Sequence, residues 1–279
     1  MISKSFDELT IVDDYMFYRV MEDTDICKTL LNIVLRGKAE TITEIELQKT
    51  LSDAGRAKGV RFDVWAKTLS GTIYDVEMQA INKNDLARRI RYYQSAIDVS
   101  VLERNRPYEN LPDSFILFFC TFDYMGKGLP VYTFKSTCAE NKNLLLPDGI
   151  TKIIINSKAA EKEANAELKA FLHYMNGKES NDGFIRKIEQ RVREIKENET
   201  LRREYMLINS FERDARNDGW KAGMQAGIAQ GRSEGIAQGF SDGARQTKLE
   251  TAQILKRLGD SVQKIMQATG LTKEEIEKL

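Results

Sequence analysis

The sequence predicts an α/β fold: a mixed sheet flanked by helices, followed by an α-helical C-terminal region. Three stretches carry that expectation. Residues 61–79, RFDVWAKTLSGTIYDVEMQ, alternate apolar and polar side chains on both sides of a turn, the period of paired strands. Residues 84–105 place Leu86, Ile90, Tyr93 and Ile97 at helical spacing. The run SFILFFCTF, bounded by Pro112 and Asp123, is continuously apolar, too short for a membrane and suited to a buried central strand.

Before the hairpin, Met16, Phe17, Val20, Ile26, Leu30, Leu31 and Val34 recur at helical spacing, which predicts one or two helices. Asp13 or Asp14 would cap the first, and Gly37 would end the second. TITEIELQKT then alternates Ile42, Ile45 and Leu47 in a strand with a phase slip, and the Gly- and charge-rich SDAGRAKG forms a loop into the hairpin. After the apolar run, LPVYTFKSTC and ITKIIINS read as strands, the first at an edge because of Pro130.

From about residue 161 the chain turns helical and highly charged, and its composition then shifts sharply. Gly219, Gly223, Gly227, Gly231, Gly235, Gly239 and Gly243 stand at an unbroken spacing of four. Inside a helix each glycine costs about 1 kcal/mol against alanine, so the row costs roughly 7 kcal/mol in isolation. Close helix–helix approach would offset that cost; a solvated linker would avoid it. The charged Lys221, Arg232, Glu234 and Asp242 exclude the membrane form of the motif. The closing LETAQILKRLGDSVQKIMQATGLTKEEIEKL reads as two short helices about a glycine turn, with Thr272 and Glu275 in a capping box. The expected segments are 1–160, a helical extension over 161–215, the glycine-repeat helix over 216–246, and a two-helix element over 247–279.

Composition narrows the function. Lysine plus arginine and aspartate plus glutamate number 42 each, so no global basic field recruits nucleic acid and any such contact is local. His173 is the single histidine and the three cysteines are far apart, which argues against zinc and against a histidine triad. With no secretory leader and no apolar window long enough for a span, the expectation is a cytoplasmic protein with reduced thiols.

The chemistry then rests on the hairpin. If its loop holds an odd number of residues, such as Leu69, Ser70 and Gly71, Thr68 faces Thr72 and Asp63 falls opposite Glu77. Two carboxylates that close repel, and a bound cation removes the penalty. Gln79 shares the face of Glu77, and such oxygen ligands suit Mg²⁺. The plain alternative is a solvated polar face.

Asp63, then Glu77-Met78-Gln79, then the helix LARRIRYYQS resemble the recombination-promoting nuclease / putative transposase family, a branch of the PD-(D/E)XK superfamily. The resemblance also takes in DDYMF, FILFF, FDYMGKGLPVYTF, the glycine-repeat tail and GLTKEEIEKL, and so essentially the whole chain. It implies a restriction-endonuclease-like core over 1–160 and a Mg²⁺- or Mn²⁺-dependent endonuclease acting on DNA in recombination or mobile-element movement. It also implies that Asp63, Glu77 and Gln79 are catalytic. The metal ligands would be Asp63, Glu77 and the main-chain carbonyl of Met78, with Asp14 an additional acidic ligand or a helix cap. Arg88, Arg91 and Tyr92 would grip the phosphate backbone, or else be surface groups beside a buried stripe. Phe62 stands where the superfamily has its proline, and Gln79 where it has its lysine. The competing expectation is an inactive nuclease fold serving as an oligomeric platform. In either case the glycine-repeat helix would drive self-association; similar repeats occur in dimerising segments of export-apparatus stator proteins.

Overall fold

The computed structural model describes residues 4–39, 41–51 and 59–279, so the expected loop at 52–58 lies outside the described residues. The chain divides into two compact units, Met1–Leu207 and Ile208–Leu279.

In the first unit the N-terminal apolar pattern forms two helices, α1 (Asp14–Met21) and α2 (Thr24–Val34). Asp23 caps α2 through the N–H groups of Asp25 and Ile26. Asp13 occupies the N-cap position of α1, but its carboxylate accepts from the Thr10 N–H and Lys4. Asp14 is the first residue of the helix, so its side chain is not the cap. Gly37, at φ +76°, closes α2 by donating to the Asn32 carbonyl at 2.8 Å.

The sheet has six strands in the order β1-β4-β5-β6-β8-β7, with β2 and β3 forming a separate two-stranded ladder. These are β1 (Ile42–Leu47), β2 (Thr50–Leu51), β3 (Val60–Arg61), β4 (Val64–Thr68), β5 (Ile73–Gln79), β6 (Ser114–Cys120), β7 (Val131–Phe134) and β8 (Ile150–Asn156). β5, β6 and β8 run parallel, and the remaining pairs of the main sheet are antiparallel. The phase slip expected in β1 is a register shift between Ile42 and Glu44, and β7 follows Pro130 at the sheet edge.

The hairpin loop holds three residues. Thr68 donates to the Thr72 carbonyl at 3.0 Å, and Gly71 takes the left-handed φ of +94° that closes such a loop. The pairing Val64↔Val76 through Lys67↔Ile73 therefore has the register in which Asp63 faces Glu77.

Burial departs from the sequence reading. Every residue of β5 is buried, so the polar hairpin face is not solvated. The reason is α3 (Leu86–Val101), which lays Leu86, Ile90 and Ile97 over that face against Trp65, Ile73, Ile116 and Phe118. On the opposite face Phe119 meets Phe17 of α1 and Phe171 of α4 (Ala166–Met175). Phe171 in turn packs against Phe184 of α5 (Gly183–Glu197), so these later helices build the core of the same unit.

Helix α6 (Glu199–Arg257) contains the entire glycine row. All seven glycines are exposed, and among the described residues no heavy atom beyond the adjoining helix backbone lies within 4 Å of the position a Cβ would take. The second unit has its own small core, in which Ala252, Ile265, Leu271 and Ile276 are buried together. The two helices expected at the C-terminus are three helical segments: residues 249–257 continue α6, and α7 (Val262–Thr269) and α8 (Lys273–Glu277) follow. Gly259 and Gly270 make the turns, and Thr272 and Glu275 form the expected capping box. No described helix is long and apolar enough to cross a membrane.

Phe119 is fully buried between the two helices that cover its face. Replacing it by alanine removes a large ring the site cannot refill, and Phe119→Ala is expected to lower stability by about 3–5 kcal/mol in urea unfolding.

Candidate active site

A kink builds the site. Between β3 and β4 the chain bends at Phe62 and Asp63, and the partner strand bends with it at Gln48, a non-glycine residue at φ +51°. Gln48 donates to the Asp63 carbonyl at 3.1 Å, and Phe62 donates to the Lys49 carbonyl at 2.9 Å. The bend breaks the period of two. Phe62 packs on Trp65 and Tyr93, on the α3 side, instead of joining Val64 and Ala66.

The same bend points Asp63 at β5. Its N–H donates to Glu77 Oε1 at 2.8 Å, and its Oδ2 accepts the Met78 N–H at 3.1 Å. A strand residue sends its N–H and C=O to one edge, so the Met78 carbonyl faces Asp63 as well.

Asp63, Asp75 and Glu77 are respectively 8 %, 0 % and 1 % exposed. Burial and the Glu77 charge hold the Asp63 carboxyl well above the ordinary carboxylate range, with Asp14 adding to the effect. Burial and Glu77 raise Asp75 in the same way. Burial also raises Glu77, against the opposing pull of Arg89. Neither Asp75 oxygen accepts a hydrogen bond; as a neutral acid this group can donate to Glu77. At the mouth, Asp14 keeps solvent contact yet is walled by protein, and burial raises it too.

Arg89 is the cation that meets these acids. Its Nη2 donates to Glu77 Oε2 at 2.8 Å, its Nη1 to Gln79 Oε1, and its Nε to the Tyr93 hydroxyl at 3.2 Å. The guanidinium lies 5.2 Å from the Tyr93 ring centre and 5.0 Å from that of Phe118. The other end of the Gln79 amide donates to the Ile81 carbonyl at 2.6 Å, so Gln79 is engaged at both ends.

These groups line one cleft of about 900 Å³. It brings together Asp14, Asp63, Glu77, Met78, Gln79, Arg88, Arg91 and Tyr92, the residues the sequence singled out. It also contains Arg61, Lys83 and Arg89, which it did not, and Tyr93, which it placed only in the helix stripe. Arg61, Lys83, Arg88 and Arg91 make no salt bridge among the described residues, so the acidic floor has a rim of uncommitted positive charge.

The donor set fits a hard divalent cation. Mg²⁺ takes one or two carboxylates with carbonyl and water oxygens, and Asp63 and Glu77, with the Met78 main chain bonded to Asp63 beside them, offer that set. Among the described residues no group of three or more His, Cys, Asp or Glu side chains forms a metal cluster, so a larger all-side-chain cage is absent there. No cation meets the Asp75 oxygens among the described residues, which leaves the layer short of positive charge.

The profile of PD-(D/E)XK nuclease family transposases matches residues 12–219. The chain belongs to this family. No curated protein and no solved structure gives a match. The matched segment includes every cleft residue and stops at Gly219, so the family likeness read in the rest of the tail lies beyond it. PD-(D/E)XK nucleases generally use divalent metals, and a nuclease family implies a DNA substrate.

Arg89 was legible by arithmetic. At 100° per residue it falls about 80° from the centre of the Leu86–Ile90–Ile97 stripe, on the margin that borders the sheet, whereas Arg88 and Arg91 fall farther round the helix. Asp75 carried no signal apart from its parity with Glu77.

Raised carboxyl pKa values set the sign of a pH effect. The folded protein holds these protons more tightly than the unfolded chain, so their stabilising contribution is complete below the unfolded values of 3.8 and 4.5 and is lost as pH climbs through the folded ones. In EDTA the melting temperature should fall as pH rises from about 5 to 8. Asp75→Asn should flatten that slope and raise the melting temperature at the alkaline end by a few degrees. An unchanged slope in this variant would show that Asp75 is not a source of the effect.

Proposed function

We propose that this cleft is the active site of a metal-dependent DNA endonuclease that hydrolyses phosphodiester bonds in recombination or mobile-element movement. The observation that carries the reading is the pair of buried carboxyl groups of Asp63 and Glu77, joined by the Asp63 main-chain N–H donating to Glu77 Oε1, beneath a basic rim.

Asp63, Glu77 and the Met78 carbonyl hold Mg²⁺ or Mn²⁺, with Asp14 as an outer acidic group. Such an ion, when bound, supplies Lewis acidity for in-line attack of water on a phosphodiester. Arg88, Arg91 and Tyr92, joined by Arg61 and Lys83, take the phosphate backbone, which positions DNA without reading its sequence. Gln79 serves the reaction by fixing its neighbours, since its amide is occupied by Ile81 and Arg89. The protein works in the cytoplasm.

Self-association belongs to the same reading. One site cuts one strand, so two sites cut a duplex. The glycine row of α6 finds no packing among the described residues, and beside it run Trp220, Met224, Ile228, Ile236 and Phe240, all more than half exposed. A glycine groove edged by a ridge at the same spacing of four, apolar except at Arg232, suits a second copy of the helix crossing at an angle of about −40° to −50°.

Supercoiled plasmid with Mg²⁺ or Mn²⁺ tests the chemistry. Wild-type protein should nick and linearise it, while an identically prepared Glu77→Ala variant should not. Equal cleavage by both would assign the activity to a contaminant, and absence of cleavage would favour an inactive platform.

Sedimentation tests the association. Full-length protein should form a dimer or larger species, and removal of residues 219–279 should leave a monomer. A truncated protein that remains dimeric would refute the role of the glycine row.

A further inference from the structure

Resting on the nuclease reading, we propose that Arg89 is a catalytic residue in its own right, gripping a non-bridging oxygen of the phosphate under attack. A guanidinium has five N–H donors. In Arg89 three are engaged, by Tyr93, Gln79 and Glu77, which leaves one on each Nη. The side chain is 25 % exposed and lines the cleft, so the remaining donors are within reach of a substrate there.

Its surroundings hold it in place before substrate arrives. Three hydrogen bonds and two flanking aromatic rings fix the fork, so little rotamer entropy remains to be lost on binding. The rim cations make no salt bridge to the acids, whereas Arg89 bonds Glu77 directly. It is therefore the positive charge held next to the Asp63–Glu77 pair. The division of labour is spatial: the rim holds the backbone, and Arg89 meets the reacting phosphate.

Gln79 becomes a positioning residue. A neutral amide oxygen accepts the Arg89 fork, whereas a lysine at position 79 would set like charge against it. Gln79 and Arg89 together thus deliver one fixed positive charge to the cleft floor. In the hydrolysis, the water oxygen bonds to phosphorus and releases a proton to solvent as a phosphorus–sugar oxygen bond breaks, and the departing sugar oxygen takes a proton from solvent. Arg89 gives up no proton; its hydrogen bonds tighten as charge gathers on the phosphoryl oxygens.

The test uses full-length wild type, Arg89→Met and Arg89→Lys. Single-turnover plasmid cleavage is measured with Mg²⁺, duplex affinity with Ca²⁺ in its place, and melting temperature alongside. Arg89→Met should slow cleavage by about 10²–10³-fold, the loss seen when a preorganised transition-state donor is removed, with duplex affinity nearly unchanged. Arg89→Lys, which keeps the charge but not the fork, should recover part of the rate, and it serves alone if Arg89→Met does not fold. Cleavage at the wild-type rate by both variants would overturn the proposal and leave the nuclease reading standing. So would a rate loss matched by equal losses in affinity and melting temperature, which marks a purely structural role. A wild type that does not cleave would overturn both readings.

Discussion

Three buried carboxyl groups share one layer with one guanidinium, and the first unit is arranged around that imbalance. Two like charges 4 Å apart repel by about 1 kcal/mol in water and about 4 kcal/mol at an effective dielectric constant of 20. Desolvation adds its own penalty for each ionised group. Asp63, Asp75 and Glu77 therefore favour either keeping protons or gaining positive charge. The layer is poor as structural cement and well suited to receive a cation. Its stability cost is the kind that the proposed active site would carry.

Such a layer requires a strand covered on both sides. β5 sits between antiparallel β4 and parallel β6, with α3 on one face and the α1–α4 aromatics on the other. β4 begins at Val64, one residue beyond the kink, so the β5 edge at Met78 meets the Asp63 side chain in place of a ladder partner. The left-handed Gln48 is part of that geometry, since the two strands bend together. Backbone strain here has an identifiable return: it turns a residue of a regular hairpin into a corner whose carboxylate faces β5.

The parts of this arrangement that depend on local pattern were legible in the sequence. Period two located the hairpin, loop parity set Asp63 against Glu77, and the continuous run at 114–122 marked a central strand. Properties decided by distant packing were not legible. Alternation cannot reveal that a polar face will be roofed by α3, so Asp75 and Glu77 looked solvated when they are buried. Nor does it foresee the kink that moves Phe62 to the other side of the sheet. Arg89 lay between these cases. Its place on the stripe margin was readable, but the more conspicuous exposed cations, Arg88 and Arg91, drew attention from it. A half-buried charge next to an apolar stripe is the stronger signal, because it must find a partner.

The C-terminal unit poses the opposite physical problem. The carboxylate layer has too many interactions of one sign, whereas the glycine row has too few of any kind. Seven glycines without intrachain packing cost the helix roughly 7 kcal/mol relative to alanine, and the few contacts of the small Ala252–Ile276 core lie beyond the row. Large apolar side chains keep step with the glycines at five of six positions from Trp220 to Phe240, Arg232 being the exception, which a solvated linker has no reason to do. A glycine groove and an apolar ridge with one period are complementary to each other on separate copies, because the ridge of one helix can enter the groove of another. The family match ends where the row begins. On this reading the catalytic chemistry belongs to the matched segment, and the pairing of two such sites on a duplex belongs to the helix that follows it.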